Sequence, residues 1–125
     1  MEEPQGKMAV AVQRLLNILI LGVAYKADVG DMRESPALDL IYLLRDKGSN
    51  LTYHDPYIPH LTVDGLEMES VSLDQEALEA ADCVVIIAAH SSYDWNWVVN
   101  SSRLVIDTRN ATKNVAVYSA QIEKL

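Results

Sequence analysis

The apolar positions of this chain fall into short continuous runs separated by segments with helical spacing. Ile18 to Ala24 is a continuous apolar run ended by Gly22 and its neighbours, and Cys83 to Ala88 is another. Such runs predict strands buried on both faces, as in a parallel sheet. Leu51 to His54 reads as a further strand, cut by Asp55-Pro56, and Leu104 to Asp107 as a fourth. Val115 to Tyr118 is a candidate for one more.

Between these runs the pattern changes period. Ser35-Pro36 is a helix start, with Ser as N-cap and Pro at the first helical position. Ala37, Leu40, Ile41 and Leu44 follow at helical spacing, and Gly48 stops the helix. Ser72 and Gln75 form a capping-box pattern that opens a helix through Ala81. Tyr93 to Asn100 reads as a short helix carrying Trp95 and Trp97, and Met8 to Leu16 as another short helix. The stretch from Asp55 to about Val71 is rich in turn residues and has no clear element pattern. Strands alternating with helices imply right-handed crossovers. The expected fold is a three-layer Rossmann-like α/β domain around a mainly parallel sheet of about five strands. In such open sheets ligands bind beyond the carboxyl ends of the strands.

A length of 125 residues suits one domain, and with half of them hydrophobic a core of useful size can form. No apolar run is long enough to span a bilayer. The start, MEEPQGK, lacks the basic and apolar regions of a secretion signal. Cys83 is the only cysteine, so no internal disulfide can form. These features lead us to expect a cytoplasmic protein. The formal net charge of −8 opposes non-specific nucleic-acid binding, which needs a basic face.

An acidic chain can still bind a small anion where its few cations converge. Tyr25-Lys26, Asp28, Asp31, Arg33 and Glu34 follow the first strand, and His54-Asp55 close the second. His90-Ser91-Ser92 follow Cys83 to Ala88, and Arg109-Asn110 and Lys113 follow Leu104 to Asp107. Four of the ten cations, Lys26, Arg33, Arg109 and Lys113, therefore follow strand ends. One reading is a pocket for a phosphate or pyrophosphate, which Arg clamps with two parallel hydrogen bonds and Lys attracts as a point charge. The other is that each cation is simply solvated in a polar loop.

The remaining candidates carry less. Gly22 followed by Val23 and Ala24 is no G-x-G-x-x-G fingerprint, so a dinucleotide is not expected here in the usual way. His54 and His90 could face one another, but their spacing favours hydrogen-bonding roles over a zinc site. Cys83 opens an apolar strand and reads as a buried, inert thiol. Trp95 and Trp97 point to different sides of a helix, one toward the core and one toward an interface or ligand. A phosphoacceptor receiver domain would need paired acids after the first strand, where this chain has Ala24-Tyr25-Lys26.

Four segments occur in order: ILGVAYKADVGDMRESPALDLIYLL, YHDPYIP, ADCVVIIAAHSSYDW and LVIDTRNATK. Together, over roughly Ile18 to Lys113, they resemble the C-terminal, nucleotide-sugar-binding domain of the UDP-glucose/GDP-mannose dehydrogenase family. The resemblance implies that Tyr25 and Lys26 contact a UDP-sugar, and that Arg109 binds its nucleotide part. It implies that Arg33 reaches toward NAD held by an N-terminal domain. Asp107 to Thr112 looks most like members acting on UDP-N-acetylglucosamine or UDP-N-acetylmannosamine.

The family's reaction oxidises a C6 alcohol to a carboxylate with two NAD, through a cysteine nucleophile. The resemblance implies that these 125 residues do not catalyse it alone. They contain neither the Cys-x-Pro-Lys-Asp context of that nucleophile nor the G-x-G-x-x-G motif. The implied partners are a UDP-sugar and the N-terminal NAD-binding and central dimerisation domains of a parent enzyme, with no nucleic acid or membrane. Residues 1–17 read as a helix or linker remnant and 18–125 as the nucleotide-sugar-binding domain. RLLN runs almost directly into ILILG where the family usually has a linker. Two alternatives stay open: a stand-alone nucleotide-binding or regulatory module, and a structural remnant that binds nothing.

Overall fold

The computed structural model describes residues 16–116 and 121–125. The helix expected from Met8 lies outside these residues but for Leu16. Five strands form one parallel sheet in the order β2-β1-β5-β6-β7: β1 Asn17–Leu21, β2 Asn50–His54, β5 Cys83–Ile86, β6 Leu104–Asp107 and β7 Gln121–Lys124. Three helices connect them: α1 Pro36–Asp46, α2 Gln75–Ala80 and α3 Trp95–Ser101. The expected Rossmann-like α/β architecture is thus present.

Strand side chains alternate between faces, and here both faces are dry. Ile18, Ile20 and Val85 pack with Ala37 and Ile41 of α1 on one face. Leu19, Leu21, Val84, Ile86 and Val105 pack with Leu78 of α2 and Val98 and Val99 of α3 on the other. Alternate residues of one run thus serve two cores, so the run is apolar throughout.

The start of α1 is as expected: Ser35 Oγ accepts from Ala37 N at 3.0 Å, and Pro36 occupies the first turn. Its end follows from Gly48, whose φ of +86° returns the Gly48 and Ser49 amides to the carbonyls of Arg45 and Leu44. At α2 the cap is Asp74, whose Oδ1 accepts from Ala77 N at 2.8 Å, so the Ser72/Gln75 capping box does not form. Gln75 instead joins Trp97 Nε1 at 2.8 Å, Ser101 Oγ at 3.1 Å and Glu79 at 2.8 Å. Trp95 and Trp97 are both partly buried against the α2–α3 core, so neither is a free outward ring.

Two elements differ from the sequence reading. The unassigned stretch holds an antiparallel hairpin, β3 His60–Val63 and β4 Leu66–Glu69. Asp64 and Gly65, with φ of +50° and +83°, make its two-residue turn. The last strand lies at Gln121–Lys124, beyond the expected Val115 to Tyr118. Val115 instead closes a turn onto Thr112 O at 3.1 Å, Ala116 is outside any strand, and Val117 and Tyr118 lie outside the described residues.

Candidate functional site

The carboxyl ends of β1, β2, β5 and β6 carry the loops that hold the candidate residues. β1 stops at Leu21 and β5 at Ile86, short of the expected Ala24 and Ala88. Gly22 turns the chain with φ +81°, and the amides of Ile87 and Ala88 both return to Leu21 O. A Cβ on Gly22 would stand 2.5 Å from Ala88 O. Gly22 therefore lets two strand ends touch and is not part of a phosphate cradle. The described residues do not fit a dinucleotide site of the usual kind.

Asp55 is the hub of this edge. Its carboxylate is buried, and Oδ2 accepts from Val23 N at 2.8 Å and Ala24 N at 3.1 Å, while Oδ1 accepts from Tyr57 N at 2.8 Å. His90, fully buried, lies with Nε2 2.9 Å from Asp55 Oδ2 and Nδ1 2.8 Å from the Asp28 amide. The Asp28 amide can only donate, so Nδ1 is a lone pair and Nε2 carries the proton given to Asp55. Asp28, at φ +63°, returns Oδ1 to Ser91 N at 2.7 Å. That backbone bond is the main reason its carboxyl sits below the ordinary range. One aspartate and one histidine thus tie together the loops after β1, β2 and β5.

His54 and His90 do not meet. They flank Tyr93, with ring centroids 5.5 Å and 5.8 Å from its ring. The Tyr93 hydroxyl donates to His54 O at 2.9 Å, which leaves its oxygen to accept from His54 Nδ1 at 3.0 Å. Burial is the main cause that lowers the His54 pKa. No group of three metal-ligating side chains occurs among the described residues. Cys83 is half-buried, and burial, seconded by Asp82, pushes its thiol up to about 11.

A second hub shapes the loop after β6. Buried Asp107 accepts from Arg109 N and Ala111 N, each at 3.0 Å, and from Thr112 N at 2.8 Å and Thr112 Oγ1 at 2.7 Å. Burial raises its pKa, but these bonds together outweigh burial and leave it lowered. A depressed carboxyl stabilises the fold above its unfolded pKa and loses that contribution as pH falls through the folded value. Asp107→Asn, with one acceptor oxygen in place of two, should cost about 1–3 kcal/mol at pH 7. The gap to the natural protein should narrow below pH ~4, which urea unfolding at several pH values would measure. A gap constant down to pH ~3 would contradict this role.

The four strand-end cations differ in state. Arg33 is bound as a fork to Asp31, Nε to Oδ1 at 3.0 Å and Nη2 to Oδ2 at 2.8 Å, and it is highly exposed. Its hydrogen bonds hold the Asp31 carboxyl down to about 2. Lys26 and Lys113 are exposed and have no hydrogen-bond or ion-pair partner among the described residues. Arg109 is anchored by Nε to Ile87 O at 2.8 Å, and its two terminal nitrogens have no partner among those residues. Tyr25 is exposed, its backbone amide fixed to Asp31 O at 2.6 Å. Lys26 and Arg109 thus share one sheet edge, in loops after strands separated by β5. Asp55 and His90 are legible as strand-end residues, but that Asp55 and Asp107 are the hubs holding these loops escapes a reading of spacing, because an acid at a strand end looks like any turn residue.

The chain was compared with known proteins. Residues 19–114 match the model of the UDP-glucose/GDP-mannose dehydrogenase family, UDP binding domain. A UDP-N-acetyl-D-mannosamine dehydrogenase of Pyrococcus horikoshii is 34% identical over 105 residues, which cover 80% of this chain and 23% of that protein. A UDP-glucose 6-dehydrogenase of Rickettsia typhi is 31% identical over 131 residues, covering 87% and 29%. The solved UDP-D-ManNAc dehydrogenase from Pyrococcus horikoshii superposes with a TM-score of 0.68 at 25% identity, over 96% of this chain and 29% of that one. The chain thus spans about a quarter of the length of such relatives. With this match over most of its length, the chain belongs to the UDP-glucose/GDP-mannose dehydrogenase family, as its UDP-binding domain.

Proposed function

We propose that residues 18–125 bind the UDP part of a nucleotide sugar within an NAD-dependent nucleotide-sugar 6-dehydrogenase of the cytoplasm. The observation that carries this reading is the state of Arg109. Its Nε is tied to Ile87 O, so the guanidinium is held in place while both terminal nitrogens have no partner among the described residues. Such a preset fork suits two phosphate oxygens. Lys26 adds, on the same edge, a charge with no partner among the described residues. Tyr25 would pack against the substrate. Arg33 would serve the NAD side across a domain interface, once its fork leaves Asp31. The oxidation itself would use a nucleotide cradle and a cysteine nucleophile outside these residues. Here the domain would contribute positioning, holding the pyrophosphate so that C6 is oriented at a lower entropic cost.

The N-acetylated amino sugars are our choice of substrate class. The Asp107–Thr112 segment and the name of the Pyrococcus horikoshii relative favour them. Calorimetric titration of the chain with UDP tests the binding claim. With the rest of the site lacking, a Kd of about 1 mM, or −4 kcal/mol, is expected, with NAD inert. Arg109→Ala should weaken UDP at least tenfold, by about 1.4 kcal/mol or more. Lys47→Ala, at the opposite end of the sheet, should change nothing. Equal loss in both variants would reduce the effect to net charge. No UDP binding in a folded chain would remove the binding function from this piece.

A further inference from the structure

An imidazole that accepts a hydrogen bond must be neutral, because both nitrogens of the charged ring are donors. His90 is such a ring, fully buried in the loop after β5. Its Nδ1 accepts from the Asp28 amide at 2.8 Å, and its Nε2 donates to Asp55 Oδ2 at 2.9 Å. The Asp28 bond fastens the tip of a small loop whose neck is closed by Tyr25 N donating to Asp31 O at 2.6 Å. Lys26 lies between neck and tip and is exposed. Asp28 also holds the loop by its side chain, with Oδ1 accepting from Ser91 N at 2.7 Å. Its φ of +63° is a left-handed conformation, uncommon outside glycine, which these two bonds hold in place.

We propose that His90 is a positioning residue for the nucleotide, and one that a proton switches. Neutral, it holds Tyr25 and Lys26 in the shape that meets the nucleotide; charged, it releases their loop. The proposal rests on the reading of this edge as a nucleotide site. A proton on Nδ1 would face the hydrogen of the Asp28 amide, so that bond does not survive it. The Asp28 carboxylate is already near, with Oδ1 3.9 Å from Nδ1. Turning to accept from the charged ring, it would leave Ser91 N. Two bonds that fix the loop are thus exchanged for one ion pair. The Asp55 contact persists, since Nε2 donates in both states. Three other titratable groups surround the ring: Tyr57 from the loop after β2, with centroids 4.8 Å apart, Tyr93 from its own loop at 5.8 Å, and His54 beyond Tyr93. Nucleotide binding is therefore strongest above the titration of His90 and falls as pH drops through it.

The test is an NMR titration of the full chain from pH ~8 to ~5, in which each histidine ring reports its own curve, with UDP titrations at both ends. At the upper end a scalar coupling across the hydrogen bond should link the Asp28 nitrogen with His90 Nδ1. It should vanish as the ring charges, and the Lys26, Asp28 and Ser91 amide signals should follow the same curve. His90→Asn separates the switch from the nucleotide's own ionisation, because its side-chain oxygen takes the place of Nδ1 and gains no proton. In that variant the three amides should stay still. The fall in UDP affinity should be about fivefold greater in the natural chain than in the variant, the worth of one lost hydrogen bond. Should the variant not fold, the coupling and the amides of the natural chain decide. A His90 ring that keeps one state throughout this range, or amides that ignore its curve, overturns the proposal. An equal fall in UDP affinity in both chains also overturns it, since the loop would then open without effect on the site. If UDP binds at no pH while the amides follow the ring, the switch stands and the nucleotide reading falls.

Discussion

Asp55→Ala is expected to destabilise the domain by about 3–5 kcal/mol, the largest loss for any single side chain described here. The carboxylate accepts from the amides of Val23, Ala24 and Tyr57 and from His90 Nε2. Both partners of the Asp55–His90 contact are excluded from solvent. Alanine would leave four donors facing a small void, and each buried donor without an acceptor costs about 1–3 kcal/mol before relaxation. Asparagine should rescue little, because its amide nitrogen would oppose donors that one carboxylate oxygen now serves. For a domain with total stability of about 5–15 kcal/mol, such a loss approaches unfolding. Denaturant unfolding at constant m-value measures it, and a cost below ~1 kcal/mol would show that the hub is dispensable. The same variant should weaken UDP, since Asp55 holds the loop that begins with Val23 and leads to Lys26.

Gly22→Ala should cost about 3 kcal/mol or more, for two separable reasons. Its φ of +81° disfavours any side chain, and the new Cβ would stand 2.5 Å from Ala88 O and 2.8 Å from Ala88 N. These are backbone atoms of the next strand end, so no side chain can swing aside. Gly48 and Gly65 share the positive φ, at +86° and +83°, but nothing lies within 4 Å of a Cβ there. Alanine at either should show the conformational part alone, about 1 kcal/mol. The difference between Gly22→Ala and Gly48→Ala isolates the close approach of β1 and β5. Equal losses would contradict it.

What the sequence revealed follows from where the physics is local. β1 and β5 were legible because burial on both faces leaves an unbroken apolar run. The first helix was legible because Ser35, Pro36 and Gly48 each act within a turn of their own position. The hairpin was missed although Asp64-Gly65 is a strong turn signal, because Leu61, Val63, Leu66 and Met68 alternate over only four residues a strand. The cap of α2 was misplaced because Ser72 and Asp74 both suit an N-cap, and the choice rests on how α2 packs. In the candidate site, Lys26, Arg33 and Arg109 were legible as cations beyond strand ends. Their differing states were not, since the Arg33–Asp31 fork and the Arg109–Ile87 anchor depend on loop shape and on contact between strands. The Asp55–His90 pair joins residues 35 positions apart, and no spacing rule links them.

The central claim is that the carboxyl edge of the sheet receives a nucleotide diphosphate. Amide chemical-shift mapping of the labelled chain during titration with UDP tests it most directly. The account predicts that the largest shifts cluster at Tyr25 to Asp28, Ala89 to Ser92 and Thr108 to Thr112, saturating together at one affinity. Shifts confined to the opposite edge, around Lys47 to Asn50 and Asp82, or no saturable shifts in a folded chain, would contradict it.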